Sequence, residues 1–236
     1  MRGEIGSQTW PILTGNGKEI VCPHYKAFFL MAHTAKRPLK AKLTKSLPPI
    51  LTPNCERRSR EYLTSGEVAA LMKAAGSVGR NRHRDATMIL IMYRHGLRVS
   101  ELTDLRWEQV NLNEAILHVV RLKGGVASTH PLNAPQLRAL KKLKKECAQT
   151  KHVFMSSRNK PISPSTVRKM VKRAGEAAGL PLSIHPHMLR HSCGYYLASK
   201  GIDTRAIQHY LGHARIQSTT VYTALSPNRF KGFWED

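Results

Sequence analysis

The amino-acid sequence predicts a mainly α-helical domain with a small antiparallel β-sheet, an α+β fold, over residues 61–236. Three observations carry that expectation. From residue 62 onward, apolar residues recur at helical spacing behind recognisable start and stop signals. One short run alternates apolar and polar side chains, reaches a glycine turn and returns. Residues 1–60, by contrast, lack such periodicity and hold Gly15, Gly17, Pro38, Pro48, Pro49 and Pro53.

The elements follow in order. In "YLTSGEVAALMKAA" (62–75), Thr64 and Glu67 have capping-box spacing, with Val68, Leu71 and Met72 behind them. "HRDATMILIMYRHG" (83–96) is a strongly apolar helix that Gly96 can close in a left-handed cap. "SELTDLRWEQV" (100–110) reads as a third, short helix. "AILHVVRL" (115–122) alternates as a strand, "KGG" (123–125) turns it, and "ASTHPL" (127–132) pairs back. "PQLRALKKLKKE" (135–146) is a helix with a lysine-rich solvated face. "SPSTVRKMVKRAGEAAG" (163–179) is another, started near Ser163 or Ser165 and stopped at Gly179. Pro186 suits a helix start ahead of "HMLRHSCGYYLASKG" (187–201). Asp203 caps "DTRAIQHYLGH" (203–213), and "IQSTTVYTAL" (216–225) follows.

The charge narrows the partner. Lys and Arg number 38 against 15 Asp and Glu, a formal net charge of +23. A chain this basic repels itself unless it meets a polyanion, which points to nucleic-acid phosphate without specifying an activity. The segment "KRPLKAKLTK" (36–45) makes residues 1–60 a basic, loosely ordered arm suited to non-specific DNA affinity. Cys22, Cys55, Cys147 and Cys193 form no CxxC pair and fit a reducing compartment. "AFFLMA" (27–32) is too short to span a membrane and lies too far in for a signal peptide. The expected location is cytoplasmic and nucleoid-associated. No GxxxxGK[ST] nucleotide loop is present.

"HPHMLRHS" (185–192) admits three readings: a metal site, a solvated polar face, or a phosphate site. On a helix, His187, Arg190 and His191 share one face. An HxxxH zinc pair of the zincin kind needs Glu after the first histidine, where this chain has Met188, and Arg190 would repel a divalent ion. A phosphate in transfer asks for arginine forks, a proton donor for the leaving oxygen and a nucleophile. In chain order the candidates are Arg98, Lys123, His187, Arg190, His213 and Tyr222. Taken singly, each has a plain structural reading: surface arginine, turn lysine, capping histidine, core tyrosine.

Their order and spacing carry more. "HGLRVSEL", "RLKGGVASTHPL", "HPHMLRHSCGYYLASKGIDTRAIQHYLGH" and "TTVYTAL" together resemble the tyrosine recombinase (phage integrase) family, over residues 61–236. "IHPHMLRHSCG", "GIDTRAIQHYLGH" and "FKGFW" look most like its short members that invert fimbrial promoter elements. The resemblance implies that family's catalytic-domain fold and a site-specific recombinase acting on double-stranded DNA. It implies Tyr222 as nucleophile forming a 3′-phosphotyrosyl link, with Arg98 and Arg190 clamping the non-bridging oxygens. Lys123 would protonate the departing 5′ oxygen, His187 would assist proton transfer at the tyrosine, and His213 would hydrogen-bond the phosphate. Glu101 would buttress the site. It further implies a homo-tetramer on synapsed DNA, a C-terminal tail, "SPNRFKGFWED" (226–236), docked on a neighbouring protomer, and no cofactor or metal. Most members carry a helical clamp domain ahead of the catalytic part, and residues 1–60 do not read as one. His191 is expected to play a structural part and His185 to set the loop.

The residues themselves supply a supporting argument. A tyrosine of pKa about 10 is a poor nucleophile, and two adjacent arginines are expected to lower that value and to stabilise charge building on phosphorus. Two other functions fit the same motifs: a DNA-binding relative that has lost catalysis, and a type IB topoisomerase-like enzyme that relaxes one duplex.

Overall fold

The computed structural model describes residues 60–121, 124–146 and 150–224. The expected basic arm, the C-terminal tail, Lys123, Cys22, Cys55 and Cys147 lie outside the described residues. Eight α-helices, one 3₁₀ turn and a three-stranded antiparallel sheet make up the rest: α1 (Ser65–Ser77), α2 (Arg82–His95), α3 (Val99–Thr103), η1 (Trp107–Gln109), β1 (Val110–Asn111), β2 (Ile116–Val119), β3 (Ser128–Pro131), α4 (Ala134–Glu146), α5 (Pro164–Ala177), α6 (Pro186–Ser199), α7 (Thr204–Leu211) and α8 (Gln217–Ala224). The helices predicted from caps and periodicity are all present. Among the described residues no helix is long and apolar enough to cross a membrane.

Local chemistry sets the ends of these elements. Thr64 caps α1 with a complete capping box: its hydroxyl accepts from the Glu67 amide, and the Glu67 carboxylate accepts from the Thr64 amide. Ser163 caps α5 with Pro164 in the first turn, and Asp203 caps α7 by accepting from the amides of Arg205 and Ala206. Such caps each stabilise a helix by about 1 kcal/mol.

Helix α2 is the hub. Met88, Ile89, Leu90, Ile91, Met92 and Tyr93 are all buried, because α1, α4 and α6 pack around it. Helix α1 also packs on α5, and α7 touches β3. Two apolar clusters result. The larger takes in α1 to α5, the sheet and the start of α6; the smaller holds Cys193, Ala198, Ile207, Leu211 and Tyr222 where α6, α7 and α8 meet.

One element departs from expectation. The helix expected over 100–110 ends at Thr103, and the chain continues through η1 into β1. Leu105 and Trp107 are drawn into the core, where the Leu105 carbonyl accepts from the Val153 amide and the Trp107 amide donates to the Lys151 carbonyl. These pairings straighten the chain. Val110 and Asn111 then pair with Leu117 and Ile116, so the expected two-stranded hairpin becomes a three-stranded sheet. The β2–β3 pairing starts at Val119 and Ser128, a wider connection than a tight glycine turn.

Candidate functional site

The site grows from the end of α2. Gly96 adopts the left-handed conformation (φ 57°), and a Cβ there would lie 2.4 Å from Leu211 Cδ2. No other residue satisfies both demands. The turn delivers Arg98 to the start of α3. Its amide donates to Glu101 Oε2 (2.9 Å) and its Nη1 to Glu101 Oε1 (2.7 Å).

Arg121, just after β2, occupies the space behind. Its side chain is fully buried, with Nη1 donating to Glu101 Oε2 (2.9 Å) and to the Gly96 carbonyl (3.3 Å). Its Nη2 donates to the carbonyls of His95 (3.0 Å) and Tyr210 (2.6 Å). Gly212, also left-handed, makes room: a Cβ there would come within 2.5 Å of Arg121 Cγ. Arg190, on the buried face of α6, is 1% exposed and donates to the same Gly96 carbonyl (2.6 Å) and to the Leu211 carbonyl (2.7 Å). These acceptors are the last carbonyls of α2 and α7, at the negative ends of both helix dipoles. That explains how two guanidinium groups are buried side by side.

Burial alone would raise the Glu101 carboxyl, but the Arg98 amide and the charges of Arg121 and Arg98 hold it below its usual range. Burial, then the charges of Arg98 and Arg121, pull Arg190 down to about 10, still a cation at neutral pH.

Tyr222 projects from α8 and is 2% exposed. Its ring lies against Gly194 of α6, where a Cβ would meet three ring carbons at 2.6 to 2.8 Å. Tyr195 meets it edge-on at 5.1 Å and the His213 ring stacks at 6.2 Å. The hydroxyl hydrogen-bonds His191 Nδ1 at 3.0 Å. Burial pushes the Tyr222 phenol up to about 12, and the opposing pull of Arg190 does not reverse it. The expectation that two arginines lower this pKa is therefore corrected: desolvation outweighs them.

Two imidazoles, His191 and His213, contact the tyrosine, and a third, His187, stands behind His191. His213 Nδ1 is 2.8 Å from the Thr219 hydroxyl, and burial followed by the charges of Arg190 and Arg98 lowers it to about 4. His187, at the exposed start of α6, meets His191 edge-on at 4.5 Å and is shifted down by desolvation and by its cationic neighbours. His185 pairs instead with Glu61 at 3.3 Å. No group of three or more His, Cys, Asp or Glu among the described residues is arranged to hold a metal ion.

Arg98, Glu101 and Arg190 are thus joined around the Gly96 turn, and Tyr222 and His213 stack on one another. Sequence reasoning missed Arg121, Thr219 and the contact between His191 and the tyrosine. Helical spacing did place His191 on the face of Arg190, but nothing in the sequence said that α8 would bring a hydroxyl there.

The model of the phage integrase family matches residues 61–229. The type 1 fimbriae regulatory protein FimE of Escherichia coli K12 is 43% identical over 182 residues, covering 75% of this chain and 91% of that protein. FimB of the same strain is 40% identical over 76% of this chain and 92% of its own. Tyrosine recombinase XerA of Pyrococcus furiosus is 33% identical over 90% and 71%. Among solved structures, a XerA recombinase superposes with a TM-score of 0.63 at 29% identity, over 71% of this chain and 61% of that one. A lambda integrase dimer bound to a COC′ core site superposes with a TM-score of 0.56 at 26% identity, over 74% and 50%. The chain therefore spans between half and two thirds of the solved recombinases it matches.

Proposed function

The chain belongs to the phage integrase family, the tyrosine recombinases, and on that premise we propose that it is a site-specific recombinase that cuts and rejoins double-stranded DNA through a 3′-phosphotyrosyl intermediate on Tyr222. One observation carries the reading. A buried tyrosine hydroxyl is held by an imidazole whose own helix also carries an arginine that the fold fixes on two carbonyls.

Arg190 uses two N–H groups on carbonyls and Arg98 uses one on Glu101, so each has guanidinium donors left for phosphate oxygens. His213, oriented by Thr219, supplies a further ring nitrogen. Lys123 is the proton donor to the 5′ oxygen in this assignment. The density of cations replaces a metal ion in neutralising the pentacoordinate phosphorus, and the phosphotyrosyl bond conserves the energy of the cut strand, so no ATP is consumed. DNA is the partner; four copies act on two synapsed sites, and residues 61–236 form the catalytic domain behind the basic arm. The solved lambda integrase dimer on its core site supports DNA as the partner.

The test is covalent trapping. Nicked duplexes tiled from DNA flanking the gene are incubated with the protein in EDTA, then denatured. A protein–DNA adduct with wild type and none with Tyr222→Phe is expected. Intact DNA binding with no adduct in wild type would make the chain a binder without strand transfer. Relaxation of a supercoiled circle lacking a second site, with no joining of two sites, would make it a topoisomerase.

A further inference from the structure

We propose that His191 takes the proton from the Tyr222 hydroxyl as the tyrosine attacks the phosphate, and returns it when the tyrosine leaves. This rests on the strand-transfer reading above and adds a residue to it, because the family resemblance places that role at His187.

Three observations support the assignment. The first is contact. His191 Nδ1 lies 3.0 Å from the Tyr222 oxygen, within the reach a general base needs, with the rings 64° apart. The other imidazoles are placed differently: His213 Nδ1 is directed to Thr219, and His187 meets His191 rather than the tyrosine. The second is need. The phenol is buried and pushed up to about 12, so spontaneous ionisation at neutral pH is rare and a base in contact changes the rate. The third is the surroundings of the base. His191 is faced by His187 and Arg190 on its own helix, by His185 at that helix's cap, by Glu61 ahead of α1 and by Tyr222 on α8. Desolvation, Arg190 and His185 favour the neutral ring that can accept, while Glu61 opposes them and would stabilise the imidazolium once formed.

The packing holds the pair together. His191 and Gly194 lie one turn-face apart on α6, so the notch that admits the tyrosine ring also sets its hydroxyl against the imidazole. In the step, the Tyr222 O–H bond breaks, its proton moves to Nδ1, and the phenolate oxygen bonds phosphorus. The P–O5′ bond breaks as the 5′ oxygen takes a proton from Lys123 in the assignment above. Rejoining runs the same transfers backwards, with the imidazolium protonating the departing tyrosine. No electrons are exchanged.

The experiment is single-turnover adduct formation between pH 5.5 and 8.5, on nicked duplexes tiled from the gene's flanks. Each duplex is made twice, with oxygen or with bridging sulfur at the 5′ leaving position. Wild type, His191→Ala, His191→Gln and His187→Ala are compared, with DNA binding measured by gel shift. A thiolate leaves without protonation, so a defect on the leaving side disappears on the sulfur substrate. His191→Ala and His191→Gln are expected to bind DNA normally and to form adduct about a hundredfold more slowly on both substrates. They should also lose the acid limb of the pH profile, and added imidazole should restore part of the rate to His191→Ala. Recovery of either variant on the sulfur substrate, a wild-type rate in either, or loss of the acid limb in His187→Ala alone overturns the assignment. An absence of adduct in wild type on both substrates overturns the strand-transfer reading itself, and this inference with it. His191→Gln keeps a hydrogen-bonding group at the position, so it remains informative if His191→Ala does not fold.

Discussion

The arginine side and the tyrosine side of the site are built on different principles. On the arginine side, Arg121 and Arg190 are buried and tied to carbonyls from two helix ends, and buried Glu101 accepts from Arg121. On the tyrosine side, Tyr222 is held by ring packing in the smaller apolar cluster, a glycine notch and one hydrogen bond. The helix carrying it has eight residues and exposes Val221. Charges buried in low dielectric tolerate little displacement, because each lost partner leaves an uncompensated ion. Ring contacts yield gradually. The chain therefore fixes the groups proposed to meet phosphate and leaves the proposed attacking group on the more adjustable element.

The contrast can be tested by breaking each side. Arg121→Met should cause the largest loss of stability. It strips a partner from buried Glu101 and frees carbonyls at two helix ends, at a cost of about 3–5 kcal/mol, read by chemical denaturation. A stability near wild type would show that the arginine side is not fixed by its charges.

Gly194→Ala should do the reverse. The new methyl pushes the Tyr222 ring aside, costing about 1–3 kcal/mol in folding but about a hundredfold in adduct formation. Adduct formation that stays within about tenfold of wild type would remove the claimed difference between the two sides.

Acid should weaken the fold before carboxylates titrate. His95 lies at about 3, His130 and His213 at about 4, each lowered first by burial, against an unfolded value near 6.5. Between those values the unfolded chain binds more protons, so stability is full above about pH 6.5 and falls as pH drops toward 4. The lowered Glu101 adds a loss at lower pH still. Thermal denaturation across pH 4 to 7 should show this slope, shallower in His130→Gln. Thr219→Val is the mildest change, about 1 kcal/mol, because it removes one side-chain partner of His213 and keeps the buried volume.

Much of this architecture was legible in the sequence for local reasons. The Thr64–Glu67 box, the Asp203 cap and the left-handed Gly96 follow from short-range chemistry, and each is found as expected. Arg98, Arg190, His213 and Tyr222 stood out through motif spacing. Arg121 did not, because a basic residue at a strand end usually faces water. Its partners are carbonyls at positions 95, 96 and 210, brought together only by tertiary packing. β1 was hidden for the same kind of reason: two residues carry no period, and their pairing depends on how Leu105 and Trp107 enter the core. The phenol pKa was misjudged because sequence shows charges and not desolvation.

The Gly96 carbonyl accepts from both Arg121 and Arg190. A single peptide oxygen therefore acts as a common datum for the two arginines proposed to clamp phosphate, Arg190 directly and Arg98 through the chain two residues on. Lengthening or shortening the 95–98 turn by one residue would shift Arg98 against Arg190, which its own helix keeps in register with Tyr222 through His191 and Gly194. Redesign of target preference can vary the exposed surfaces freely, but it has to treat this turn as an invariant length.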